Sequence, residues 1–163
     1  YFGEGEFGFD NAGFGNGFTG TFLANNGPKT DPVSTNSVGV QGYYQFSPKV
    51  ALTGFFGYTS IDSTTNDDFD DADILYYALG LALPDLGKEG SLGGLFFGAQ
   101  PYVTEIDDDG FDSDIPFHLE AFYKYQINDF ISITPGIIWQ FNPNQDNDTD
   151  DVVIGTLRTT FVF

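Results

Sequence analysis

Apolar and polar side chains alternate with a period of two along most of this chain, and no sustained helical period of 3.6 replaces it. The stretch from Val152 to Phe163 shows the pattern most plainly. Val153, Gly155, Leu157, Thr159, Phe161 and Phe163 fall on one face of an extended strand, and Val152, Ile154, Thr156, Arg158, Thr160 and Val162 on the other. The same alternation predicts strands over Tyr1–Phe9, Phe18–Ala24, Val38–Phe46, Val50–Thr59, Ile74–Leu83, Leu92–Thr104, Phe117–Tyr125 and Phe130–Phe141. With the terminal strand this makes about nine strands of roughly 9–12 residues, the length that crosses a bilayer at a tilt. No internal helix and no hinge-like linker is predicted.

The connections carry the second signal. Counting back from Phe163, they alternate between long and short: 142–151, 105–114, 60–73 and 25–36 are long, while 126–129, 84–91, 47–49 and 10–17 are short. Every long connection then lies at one end of the sheet, and every short turn at the other. Most of the acidic residues sit in the long ones. A soluble β-sandwich would place charge on its exposed strand faces, whereas end-to-end loop asymmetry belongs to transmembrane β-barrels. The reading is therefore an all-β, transmembrane antiparallel β-barrel. An odd strand number does not close a single-chain bacterial barrel, and open sheet edges are not tolerated in hydrocarbon. Residues 1–163 are thus expected to be the C-terminal portion of one barrel domain, with further strands upstream of Tyr1.

Composition narrows the partners. The chain has 24 acidic residues against 5 basic ones, a net charge of −19, which argues against nucleic acid or anionic headgroups as direct partners. Its 21 glycines and 18% aromatics are poor helix material but suit a barrel wall. With no cysteine, neither a disulfide framework nor a thiolate metal site can form. The longest clean apolar run, Ile74 to Leu83, is too short for a membrane-spanning helix. Outward aromatics near strand ends, among them Phe7, Phe9, Tyr44, Phe46, Tyr123, Tyr125, Phe161 and Phe163, suit an interfacial girdle.

Extending the alternation assigns a lumen-facing set: Glu4, Glu6, Gln41, Tyr43, Gln45, Gln100, Tyr102, Thr104, His118, Glu120, Lys124, Ser132, Thr134, Ile138, Gln140, Thr156, Arg158 and Thr160. Lys29, Lys49 and Lys88 fall in loops or turns, so both basic residues within strands, Lys124 and Arg158, point inward. A cation facing lipid near the midplane would cost about 2–4 kcal/mol, and the inner face avoids that cost. There the two are expected to oppose Glu120 or nearby acids and set a transverse field. The long loops form an acidic mouth from Asp67, Asp68, Asp70, Asp71, Asp107, Asp108, Asp109, Asp112, Asp146, Asp148 and Asp150. The run Glu105-x-Asp107-x-Asp109-Gly110 resembles the start of a calcium loop but has Pro116 where the closing Glu belongs. The acidic loops are read as a solvated negative surface with room for weak divalent-cation binding. No resident cofactor or metal site is expected. His118 and Glu120 supply two ligands, which do not make a metal centre. Gly3-x-Gly5-x-x-Gly8 matches the dinucleotide pattern but lies inside a strand with no helix after it. No nucleophile, base and orienter come together for catalysis, so no enzyme is expected.

The block Ile131 to Pro143 (ISITPGIIWQFNP) through Asp150 to Phe163 (DDVVIGTLRTTFVF) resembles the cyanobacterial outer-membrane porins. These belong to the carbohydrate-selective, OprB-like family and are often described as iron-uptake porins. The resemblance is sharpest over the last three strands. It implies a barrel of about 16 strands, commonly a homotrimer, in the outer membrane of a Gram-negative-type, cyanobacterial organism. It also implies a water-filled channel for passive diffusion of ions and small hydrophilic solutes, iron or sugars among them, with outer-membrane lipid around it. Two other readings fit the residues: a non-conducting surface or adhesion barrel, and a soluble extracellular β-sandwich that binds a partner through its acidic loops.

Overall fold

The computed structural model describes residues 2–5, 20, 21, 24, 33–63, 71–106 and 114–163. Eight strands form one antiparallel sheet in strict sequence order: β1 (Phe2–Gly5), β2 (Val33–Ser47), β3 (Val50–Ser63), β4 (Ala72–Pro84), β5 (Leu92–Ile106), β6 (Phe117–Asn128), β7 (Ile131–Gln140) and β8 (Val152–Phe161). Among the described residues β1 and β8 are the two free edges, so this sheet is open. Apart from β1 the strands run for 10 to 15 residues, built from β-branched and aromatic side chains in period-two alternation.

The sequence suggested nine strands, and the difference lies at 18–24. β1 pairs directly with β2, Phe2 opposite Asn36 and Gly5 opposite Val33, which leaves no place between them. Thr21 and Ala24 lie off the sheet, buried against β5. The rest of that segment and the turn expected at 10–17 fall outside the described residues. Among the described residues no strand stands between β1 and β2. Long connections remain at one end of the sheet and short turns at the other.

The short-turn end is tied together by polar contacts. Asn128 Oδ1 accepts from the amides of Phe130 and Ile131, both at 2.9 Å, and closes the β6–β7 turn. In the β4–β5 turn Gly90 has a φ of +80°, a region where an L side chain would be strained, and its amide donates to Asp85 Oδ1 at 2.7 Å. The two turns are then joined: Lys88 Nζ donates to the carbonyls of Gln126 and Ile127 at 2.6 and 2.8 Å.

The long-loop end holds the apolar core, Ile61, Ala72, Ile74 and Val103, covered by Ala24 and flanked by Tyr76 and Ile106. Here β5 outruns its neighbour, since its pairing with β6 stops at Ala99 opposite Phe117. Backbone groups left unpaired in a buried place are costly. The amide of Thr21 satisfies the carbonyl of Pro101 at 2.9 Å. Gln145, from the 3-10 turn Pro143–Gln145, serves both groups of Val103. Its Nε2 donates to the Val103 carbonyl at 2.7 Å, and its Oε1 accepts the Val103 amide at 2.9 Å. The Thr21 hydroxyl donates to the same Oε1 at 2.8 Å. A side-chain amide thus takes the place of a strand partner.

Replacing Gln145 by Leu keeps the volume and removes both hydrogen bonds to Val103. Each orphaned backbone group costs about 1–3 kcal/mol, so a lower denaturation midpoint and faster hydrogen exchange at the Val103 amide are expected. An unchanged exchange rate would mean that Gln145 is not the partner that holds this edge.

Candidate lumen-facing site

Register decides which side chains share the inner face, the one that bears Lys124 and Arg158. His118, Gln140 and Val152 form one row across β6, β7 and β8, and Glu120, Ile138 and Ile154 the next. Phe122, Gly136 and Thr156 follow, and Gln126, Ser132 and Thr160 lie nearest the short turns. Thr134 pairs with Arg158. Lys124 stands between the Phe122 and Gln126 rows, so it shares their level. Lys124, Thr134 and Arg158 line a single hollow of about 930 Å³ with Glu120, Phe122 and Thr156. On the far side of the sheet Gln41, Tyr43 and Gln45 of β2 pair with Phe55, Thr53 and Ala51 of β3 on this same face.

The charges are distributed unevenly. Glu120 Oε2 lies 3.5 Å from His118 Nε2, on the side toward the long loops. Among the described residues this is the one contact between a basic and an acidic side chain at that distance, and it is an ion pair only when His118 is protonated. Lys124 and Arg158 have no carboxylate in ion-pair contact among those residues; Glu120 lines the same hollow one row or more toward the long loops.

Two parts of the expected set lie elsewhere. Tyr102 is on the opposite face: β5 carries two bulges, between its pairings with Leu75 and Tyr77 and again between those with Asp73 and Ile74. Each bulge adds a residue and reverses the side-chain parity. Between them Val103, not Tyr102, points with Ile74 into the inner core. Gln100 sits in the first bulge, and Thr104 in the second, where its hydroxyl donates to the Asp73 carbonyl at 3.2 Å. Glu4 lies in β1 opposite Ser34, but its side chain and all of Glu6 fall outside the described residues. So do Asp67, Asp68, Asp70, Asp107, Asp108, Asp109 and Asp112. Of the acidic loop residues that are described, Asp71, Asp146, Asp148 and Asp150 are all exposed. Asp146 caps its own loop: its Oδ1 accepts the Asp148 amide at 2.9 Å and its Oδ2 the Thr149 hydroxyl at 2.8 Å. These hydrogen bonds, that from Thr149 foremost, hold the carboxyl below its usual range.

The inner aromatic wall was not foreseen. Tyr76, Phe96 and Phe122 each stand directly opposite a glycine of the preceding strand: Gly57, Gly80 and Gly94. A Cβ built on any of the three would run into the facing ring. The missing side chains let the rings lie down along the wall instead of projecting from it. Phe96 and Phe122 lie near-parallel with centroids 6.4 Å apart. Alternation alone places Phe122 between Glu120 and Lys124, but the partner glycines become visible only once register is known.

The outer face is apolar and uncovered. Val38, Val40, Phe56, Leu79, Leu95, Phe97, Ile137, Leu157 and Phe161 are all large and exposed. Tyr44 with Phe46 and Tyr123 with Tyr125 form aromatic pairs at its short-turn end.

Residues 6–163 match the family model described as carbohydrate-selective porin, OprB family. An "Uncharacterized protein alr4550" of Nostoc sp. is 41% identical over 152 residues, covering 93% of this chain and 26% of the relative. An "Uncharacterized protein sll0772" of Synechocystis sp. is 34% identical over 164 residues, covering 89% of this chain and 30% of the relative. The chain thus spans less than a third of the length of the curated relatives it matches. No solved structure matches it.

Two outcomes follow from this geometry. Gly80→Ala drives a methyl into the Phe96 ring and is expected to destabilise by about 1–3 kcal/mol. Phe96→Ala should relieve much of that cost in the double variant, and strictly additive effects in the cycle would refute the ring–glycine contact. For Asp146 the folded pKa is depressed, so its contribution to loop order is present above the ordinary value of 3.8 and is lost as pH falls through the lowered one. Thr149→Val should raise the Asp146 titration midpoint toward 3.8 in a carboxyl NMR titration; an unmoved midpoint would refute the Thr149 bond.

Proposed function

Because the chain belongs to the OprB family of carbohydrate-selective porins, we propose that its eight strands are part of the wall of a water-filled outer-membrane channel for small hydrophilic solutes. The observation that carries this reading is the division of the sheet into two faces. One face is a continuous exposed apolar surface, with Val40 68% and Leu157 73% exposed. The other gathers Lys124, Arg158, Glu120 and His118. A soluble protein does not leave so wide an apolar surface in water, whereas lipid covers it without penalty. The edges at β1 and β8, open among the described residues, support a larger barrel of which these strands are a part, since unpaired edges do not persist in hydrocarbon. A homotrimer, usual among the porins this chain resembles, completes the assembly we propose.

Charge suggests two zones in series. The net charge of −19, concentrated in the long connections, favours cations at the mouth, iron among them. Deeper in, the row of Lys124 and Arg158 carries positive charge on the wall, with no carboxylate in ion-pair contact among the described residues. Solutes would then be sorted by pore width and by field rather than by a closed pocket.

Single-channel recording of the native outer-membrane assembly in a planar bilayer, with a salt gradient across it, tests this directly. Stepwise ohmic current is expected. Lys124→Gln and Arg158→Gln should each move the reversal potential toward stronger cation preference, and no movement would refute the field role. Stable insertion without current would move the function to adhesion, and solubility in plain buffer without detergent would refute the membrane reading.

A further inference from the structure

The hollow between β6, β7 and β8 combines three features that the channel reading does not by itself require. Its two cations share one level of the wall, with Thr134 between them, and neither is neutralised by a carboxylate among the described residues. Only 5 basic residues occur in the chain, and Lys49 and Lys88 lie in turns, so two on one patch of inner wall is a concentration of charge. Directly above them toward the long loops lies Phe122, whose ring is held along the wall because Gly94 opposite has no side chain. Phe96 extends that apolar surface by one strand. Hydroxyls of Thr134 and Thr156 line the same space. Glu120 borders it, with its carboxylate toward His118.

Each feature has its own chemical complement. Two cations at one level suit an oxyanion, because ammonium and guanidinium groups form charge-assisted hydrogen bonds to phosphate or carboxylate oxygens. A flat ring lying along the wall offers apolar contact to one face of a compact solute, and the threonine hydroxyls offer hydrogen bonds to its polar edge. A monovalent inorganic anion would use only the cations, and a neutral sugar only the ring and the hydroxyls.

We propose that this hollow is a solute subsite for a polyhydroxylated molecule bearing an oxyanion, a phosphate or a carboxylate. The assignment rests on the channel reading above and names the solute class that this part of the wall selects. Phe122 and the two threonines orient the hydroxylated body, and Lys124 with Arg158 hold the anionic group. The acidic mouth lowers the entry rate of anions, so the row of cations acts as a local well behind a repulsive entrance.

The test uses the native outer-membrane assembly in a planar bilayer with four probes added in turn: glucose, inorganic phosphate, glucose 6-phosphate and gluconate. Glucose 6-phosphate and gluconate are expected to interrupt the current at concentrations at least about tenfold below those needed of glucose or phosphate, the scale of one charge-assisted contact. The pair also separates the two oxyanion chemistries: block by one alone assigns the site to that group. Lys124→Gln and Arg158→Gln should each abolish the preference, while Lys124→Arg should retain it. Heat-modifiable mobility of each variant shows that it has assembled. Ohmic current with no difference between glucose and its anionic derivatives overturns the subsite and leaves the channel standing. Equal block by inorganic phosphate overturns the assignment to a hydroxylated solute. Absence of any current overturns the channel reading and the subsite with it.

Discussion

Everything in this structure depends on one constraint: the inter-strand ladder must use up the backbone's hydrogen-bonding groups, because hydrocarbon supplies no water to replace them. The constraint forces neighbouring strands to pair in sequence order and fixes a register for each pair. Register in turn decides which side chains meet, since a shift by one residue would move a whole strand's apolar set to the other face. The two bulges of β5 lie near its long-loop end, between Ala99 and Glu105, away from the stretch flanked by Leu95 and Phe97 on the outer face. There the local polar groups of Thr104, Thr21 and Gln145 take over what the ladder gives up.

The inner wall is a second consequence of register. An inward aromatic ring on every strand would crowd the space enclosed by a barrel. Opposite Gly57, Gly80 and Gly94, the rings of Tyr76, Phe96 and Phe122 lean across the neighbouring strand and thicken the wall instead. Room is thereby left for Lys124, Thr134 and Arg158 to line a common hollow. Glycine content that looks like weak strand propensity is, at these three positions, what lets large residues face inward.

Much of this was legible in the sequence. Period-two alternation located all eight strands and the face of each polar residue it assigned on β6, β7 and β8, because those last strands pair without a shift through most of their length. Alternation fails where its premise fails. It predicts a strand at 18–24, where the described Thr21 and Ala24 are buried off the sheet; burial alone does not make a strand, and only pairing distinguishes the two. It puts Tyr102 on the wrong face, because a bulge adds one residue and nothing in the local residues Gln100 to Thr104 announces it. The ring–glycine pairs join residues 16 to 28 positions apart (Gly80 to Phe96 and Gly94 to Phe122 at the extremes), and no local pattern connects such partners.

Gln145 shows the same limit from the other side. It sits among asparagines and aspartates in a loop whose composition reads as solvated surface, yet it is only 7% exposed. The reason is geometric. β5 extends past the end of β6, and the edge it exposes needs a donor and an acceptor spaced like a peptide group, which a primary amide provides. Two long connections, β1–β2 through Thr21 and β7–β8 through Gln145, therefore converge on the same short piece of β5. Asp146, Asp148 and Asp150 are thus carried on a connection tied to the wall by a buried polar junction, beside the apolar contact that Ala24 makes with the core. Because a half-satisfied polar junction costs more than none, the two connections are expected to hold their places together or not at all. The place of the β7–β8 connection, with Asp146, Asp148 and Asp150 on it, is thus set in part by hydrogen-bond satisfaction on a single strand.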